Sequence, residues 1–146
     1  MNEKKESPVK SAVINTGAII EVLEKSPLGN AFFREVLENE EIQSFYISPL
    51  VETELLYILC RLYGFEEARK IVSELLQDFI ICSETNLRNI SARLKCSYSI
   101  SVADCYSFAI AKILNIPIYM KREKEIEFNF EGLSQEITLK FIDDLL

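Results

Sequence analysis

Four short apolar runs constrain this chain more than any other feature: residues 9–14 (Val-Lys-Ser-Ala-Val-Ile), 44–47 (Ser-Phe-Tyr-Ile), 79–82 (Phe-Ile-Ile-Cys) and 117–120 (Pro-Ile-Tyr-Met). Each has strand length, and helical patterns separate them. The first gathers its apolar residues at its end, as a strand buried on both faces does. It stops at Asn15-Thr16-Gly17, and a short helical run follows over residues 18–23. Ser26-Pro27 and Ser48-Pro49 each supply an N-cap followed by a proline at the first helical position. The first of these predicts a helix to about Glu38 that buries Phe32, Phe33, Val36 and Leu37. The second predicts a helix with Leu50, Val51, Leu55, Ile58, Leu59 and Leu62 at helical spacing. Gly64 ends it. Phe65, Ala68, Val72, Leu75 and Leu76 mark another helix, and residues 83–94 a further one.

Strands that alternate with helices in this way predict a three-layer α/β/α sandwich around a central, mostly parallel sheet of four or five strands. The alternation of Ile126, Phe128 and Phe130 predicts a fifth, edge strand. Ile137, Phe141, Ile142 and Leu145 predict a final helix from Ser134 to Leu146. The expected organisation is a polar, frayed tail over 1–8, a domain over 9–130, and a C-terminal helix within 131–146 that packs on the domain or at a dimer interface.

Composition removes whole classes of chemistry. The 146 residues include no histidine, so neither a histidine base nor a histidine-assisted nucleophile can be built. The four cysteines stand apart without a Cys-x-x-Cys pair, which predicts thiols in a reducing, cytoplasmic setting. Four glycines exclude a glycine-rich phosphate loop. No apolar run reaches membrane-spanning length, so no membrane association is expected. The net charge of −7 opposes non-specific binding to a polyanion. Any enzyme here must work with carboxylates, with or without a hard metal ion.

Two acids sit where an acid is expensive. Asp104 is the sole charge among residues 101–111, in an apolar helix, and a charge in such surroundings needs a partner. Ser101 three residues before it fits a helix cap, a reading compatible with a functional acid facing a cleft. Glu54 falls within the apolar stripe of its helix, four residues from both Leu50 and Ile58; a site acid or a structural ion pair would explain it. Ligands of open parallel sheets sit at the carboxyl ends of the strands. One crevice there is expected to collect Asn15, Glu54, Asp104 and Glu123.

With these residues in place, the chain resembles the PIN domain family of VapC-type toxin ribonucleases. Residues 13–18 (Val-Ile-Asn-Thr-Gly-Ala) resemble the family's opening strand and turn, usually V-I-D-T-S-A. Residues 47–55 (Ile-Ser-Pro-Leu-Val-Glu-Thr-Glu-Leu) resemble its serine-opened helix with an acid before leucine. Residues 101–105 (Ser-Val-Ala-Asp-Cys) resemble its third motif, and residues 117–123 fall where it has a strand and a Thr-x-Asp turn. The resemblance covers about residues 9–130. It implies RNA cleavage with one Mg2+ or Mn2+ ion, with Glu54 and Asp104 as ligands and Asn15 and Glu123 in support. Asn15 stands where the family has aspartate, which implies weak catalysis. Arg122 or Glu123 takes the fourth position. The resemblance also implies RNA-backbone contacts from Lys95, Lys121, Arg122 and Lys124, an antitoxin-like protein partner and a homodimer. The alternatives are a PIN-like module that binds RNA or protein without cutting, and an acidic interaction domain in which Asp104 is only a cap.

Overall fold

The computed structural model describes residues 10–146, so the tail expected over 1–8, and Val9, lie outside the described residues. The α and β elements run β1 (Lys10–Ile14), α1 (Thr16–Glu24), α2 (Pro27–Phe32), β2 (Ile42–Ile47), α3 (Pro49–Tyr63), α4 (Phe65–Leu75), β3 (Phe79–Ile81), α5 (Glu84–Ser97), α6 (Val102–Leu114), β4 (Ile118–Met120), α7 (Lys124–Phe128), α8 (Phe130–Glu136) and β5 (Leu139–Phe141). The strands lie in the order β3-β2-β1-β4-β5, and every pairing is parallel. All carboxyl ends therefore share one rim, with β1 at its centre.

Side-chain alternation along β1 sorts the helices into two layers. Ala12 and Ile14 face a core built with Ile19, Phe32, Val51, Leu55 and Val72. Val13 faces the opposite core, with Leu94, Phe108, Ile118 and Met120. α1 to α4 thus cover one face and α5 to α8 the other. Each large apolar side chain removed from water contributes about 1.5–3 kcal/mol, so both faces hold the sheet in place. Among the described residues, no helix is long and apolar enough to cross a membrane.

The helix starts follow the serine signals. Ser26 accepts from the Gly29 amide at 2.9 Å, Ser48 from Val51 at 3.3 Å and Ser101 from Asp104 at 3.0 Å. Each such cap contributes about 1 kcal/mol. The helix after Ser26 departs from expectation. A π-helical turn over Phe33–Leu37 follows α2, and Phe33 is left exposed while Val36 stays buried. Leu62 and Phe65, expected in the core, are also exposed; they flank Gly64, whose φ of 86° turns the chain sharply between α3 and α4.

The C-terminal region overturns two expectations. Residues 126–128 and Phe130 are helical, in α7 and α8, with a turn at Asn129 and no strand; Ile126 is buried and Phe128 83% exposed. A strand would have put both on one face. Ile126 and Leu133, two helical turns apart, carry the inward face of α7 and α8. The helix expected from Ser134 to Leu146 ends at Glu136. Ile137, Leu139 and Phe141 turn inward while Thr138 and Lys140 are exposed, which is strand periodicity. The fifth strand is therefore β5, paired to β4 through Ile118–Leu139 and Met120–Phe141. Within 131–146 the α-helix covers only residues 131–136, in α8, where Leu133 packs inward on the domain.

Candidate active site

The tip of β1 holds the site together. Asn15 ends the strand, with its amide hydrogen-bonded to the Tyr119 carbonyl of β4 at 3.1 Å. It is also the N-cap residue of α1, yet its side chain makes no cap bond. That side chain is buried and turned toward α6 instead. Its Nδ2 donates to the Asp104 carboxylate at 2.9 Å, and its Oδ1 accepts from the Ser107 hydroxyl at 3.1 Å. The next residue, Thr16, donates its hydroxyl to Glu54 at 2.7 Å. Two adjacent residues thus each hold one acid, one from α6 and one from α3, and those two helices pack together.

Glu123 lies near enough for the charges of Asp104 and Glu54 to act on it. It caps α7 just after β4, where the chain passes close over α1: a Cβ on Gly17 would lie 3.3 Å from the Lys121 Cβ. Glu123 is exposed by area, yet its carboxyl is pushed up to about 7. Loss of surrounding water is the main cause, followed by the charges of Asp104, Glu125 and Glu54, with Lys121 acting the other way. Among the described residues, none of the ion pairs involves Glu54, Asp104 or Glu123.

Of the two fourth-position residues, Arg122 is engaged by other acids. Arg122 turns away from the acids: its guanidinium pairs with Asp144 at 2.8 Å and Glu127 at 3.3 Å and lies 4.2 Å over the Phe141 ring. Its backbone N–H donates to Asp143 at 2.7 Å. β5 and the turn after it therefore hold Arg122 outward. The other cations expected to meet RNA are divided. Lys121 pairs with Glu21 at 3.2 Å, Lys95 donates to the Ile100 carbonyl at 2.7 Å, and Lys124 is exposed on α7.

As the side chains stand, no group of three or more His, Cys, Asp or Glu among the described residues is gathered tightly enough to hold a metal ion. The donor set nonetheless suits a hard cation. It is all oxygen, its negative charge is uncompensated, and Mg2+ keeps most of its waters while taking only one or two carboxylates. Asn15 presents its nitrogen, not its oxygen, to Asp104, so ligation by Asn15 requires its amide to turn over. Ser107, which can donate or accept, tolerates either orientation. Ser107 and Thr16 were missed in the sequence. The available signals were Asp104-x-x-Ser107, one turn apart on an otherwise apolar helix face, and a hydroxyl directly after the strand end.

Solved structures with the same fold share little sequence with this chain. VapBC-1 from nontypeable Haemophilus influenzae matches with a TM-score of 0.68 at 13% identity, over 91% of this chain and 98% of that one. VapBC2 from Rickettsia felis, bound to a DNA fragment from its promoter, matches at 0.66 and 14%, over 90% and 98%. FitAcB from Neisseria gonorrhoeae matches at 0.60 and 19%, over 88% and 95%. No curated protein sequence matches. The PIN domain family model matches residues 12–126, a span that contains Asn15, Glu54, Asp104 and Glu123 and most of both cores. On that match, the chain belongs to the PIN domain family.

Proposed function

We propose that this protein is a divalent-cation-dependent endoribonuclease of the toxin type, slowed by Asn15 in place of an acid and held by an antitoxin-like partner. The observation that supports the reading is that Asn15 and Thr16, at the tip of β1, hydrogen-bond Asp104 and Glu54, while among the described residues no cationic side chain forms an ion pair with either acid or with Glu123. Glu54, Asp104 and Glu123 would hold one Mg2+ or Mn2+ ion, with Asn15 as a neutral fourth donor. A bound cation supplies an activated water and neutralises charge on the scissile phosphate. The protein's own part is positioning. The Asn15 amide fixes the Asp104 carboxylate, Thr16 fixes Glu54, and the exposed Lys95 and Lys124 meet the RNA backbone. A toxin–antitoxin complex from Klebsiella pneumoniae, which shares the fold with a TM-score of 0.62, supports the antitoxin-like partner. Exposed Tyr57, Leu62, Tyr63 and Phe65 on α3 and α4 offer apolar surface for it or for a second copy.

One observation favours a second reading, a PIN module that binds without cutting: the Asn15 Nδ2 already occupies an Asp104 oxygen. A melting experiment with Mg2+ and Mn2+, paired with cleavage of a diverse RNA pool, separates the two. On the nuclease reading either ion raises Tm, since a ligand at about 100 times its Kd adds about 2.7 kcal/mol. Cleavage then depends on the ion. No rise and no cleavage would leave the binding module.

A further inference from the structure

A sheet covered on both faces still has two edges, here β3 and β5. Unpaired edges invite another strand, and natural folds blunt them with charge or proline. β5 is blunted: Lys140 at its centre is exposed, and the Arg122 guanidinium lies over Phe141. β3 is not. Residues 79–83 read Phe-Ile-Ile-Cys-Ser, with no charge and no proline. Ile80 and Ile81 are 45% and 41% exposed, so neither helical layer covers them.

The backbone of this edge has a defined pattern. The Cys82 amide donates inward to the Ile47 carbonyl of β2 at 3.0 Å. Backbone groups alternate sides along a strand, so Ile80 also points inward, and Phe79 and Ile81 point outward. Ser83, still extended with φ −71° and ψ 132°, continues the alternation. Two of the outward groups have partners within the chain. The Phe79 N–H donates to the Leu76 carbonyl, and the Ser83 carbonyl accepts from the Asn86 amide. The Ile81 N–H and C=O, the Phe79 C=O and the Ser83 N–H take part in none of the turn and loop bonds of the described residues.

We propose that β3 is an interface for a second copy of this chain, whose own β3 adds antiparallel across a two-fold axis at Ile81. An isologous contact must be complementary to itself, and this edge is. Ile81 exchanges both its bonds with Ile81 of the second copy. The Phe79 carbonyl accepts from Ser83 of the second copy, and the reverse holds. The groups left over, the Phe79 N–H and the Ser83 C=O, face each other, and these are the ones already bonded inside each chain. An axis at Ile80 would pair Phe79 with Ile81 and call on the engaged Phe79 N–H. With the axis at Ile81, Ile80 packs against Cys82 of the second copy. Asp78 meets Glu84, whose charge Arg88 answers at 2.5 Å. A foreign strand fits less specifically, because a copy of β3 leaves bare only groups that are already engaged. Antiparallel addition turns the two carboxyl rims in opposite directions, so each acid site stays open.

The test is sedimentation velocity on the full-length protein. So short an edge buries less than the about 1,200–2,000 Å² of a stable complex, so the mass should rise from monomer toward dimer between about 1 and 100 µM. Ile81→Pro removes an N–H that the sheet does not use, a place where edge strands accept proline, and should give a monomer at every concentration. Ile81→Lys sets two ammonium groups opposite each other and should do the same. Both should keep the wild-type circular dichroism spectrum. A cross-link checks the register. In a Cys96→Ser background, Ile80→Cys should form a disulfide-linked dimer under oxidised glutathione, since residues opposite at a non-hydrogen-bonded position lie about 4.5 Å apart, within disulfide reach. Adding Cys82→Ser should abolish that link. A chain that is monomeric throughout, a dimer that both Ile81 variants leave intact, or a link that does not need Cys82 overturns the inference. None of these measurements needs metal or RNA, so their outcome stands apart from the nuclease reading.

Discussion

Glu123 and Glu136 are the same residue at two helix ends, and the fold treats them in opposite ways. Glu136, the last residue of α8, meets Arg93 at 2.5 Å, Lys112 at 3.2 Å and the Tyr98 hydroxyl. Led by Arg93, these contacts hold its carboxyl down to about 2. Glu123 sits at a helix start, where the backbone dipole favours an acid, yet its carboxyl is pushed up to about 7. Dipole effects of about 0.3–1 kcal/mol lose in both places to the immediate neighbours. Around Glu136 the charge is answered by Arg93 of α5 and Lys112 of α6. At the β1 tip, among the described residues, no side chain forms an ion pair with Glu54, Asp104 or Glu123, although Lys121 and Arg122 precede Glu123 in sequence and pair with Glu21 and Asp144 instead. A region built only for stability resembles the first.

The largest effect should come from breaking the unanswered side. Asp104→Asn should lower metal-dependent RNA cleavage at least about 100-fold, beyond the 10–100-fold typical of losing a supporting contact, and should abolish the metal-induced rise in Tm. Glu136→Gln, by contrast, should leave cleavage within about 2-fold of wild type when measured well below its Tm. Equal losses in the two variants would erase the distinction between the regions.

Asn15→Asp sharpens it. A second buried carboxylate beside Asp104 raises the repulsion that the cation would relieve. Without metal the variant should melt lower than wild type; with Mn2+ the gain in Tm should exceed the wild-type gain, and cleavage should rise about 10-fold. A variant that is destabilised and gains nothing from metal would mean that the amide of Asn15 is a structural fastener only.

Breaking the answered side costs stability instead. Glu136→Gln should remove about 1 kcal/mol, about 3 °C in Tm for a chain of this size. The Glu136 carboxyl is lowered in the fold, so its contribution is present above about pH 4.5 and fades as pH falls toward 2. The gap between variant and wild type should close over that interval.

These two regions also differ in how far they could be read beforehand. Asp104 and Glu54 stood out because each interrupts an apolar helical stripe, and the strand ends placed them on one rim. Glu136 did not stand out, because its three partners come from α5, α6 and the loop between them and no local pattern joins them. The C-terminal region misled for a related reason. Ile137 and Phe141 satisfy both a helical spacing of four and a strand spacing of two, and only pairing with β4 decides between them. Arg122 against Glu123 was open for the same cause, since Asp143, Asp144 and Phe141, which pull Arg122 outward, lie about twenty residues further along.

The smallest predicted effect tests the comparison on its weakest side. The Glu123 carboxyl is raised from 4.5 to about 7 in the fold, so below pH 4.5 it is protonated in both folded and unfolded chains and its stabilising contribution is complete. Between 4.5 and 7 the folded chain keeps a proton that the unfolded chain releases, and stability falls as pH rises. Above 7 the contribution is gone. The Tm of wild type relative to Glu123→Gln should therefore decline across that window and flatten beyond it, the mirror image of the Glu136 profile. The change should be smaller than that of Glu136→Gln, because water reaches Glu123 and screens it. Added Mg2+ should shrink the decline further, since a cation does there what the proton does. A Glu123 profile that is flat with and without metal would mean that Asp104 and Glu54 do not act on Glu123, and the contrast with Glu136 would reduce to one well-paired acid and one ordinary surface acid.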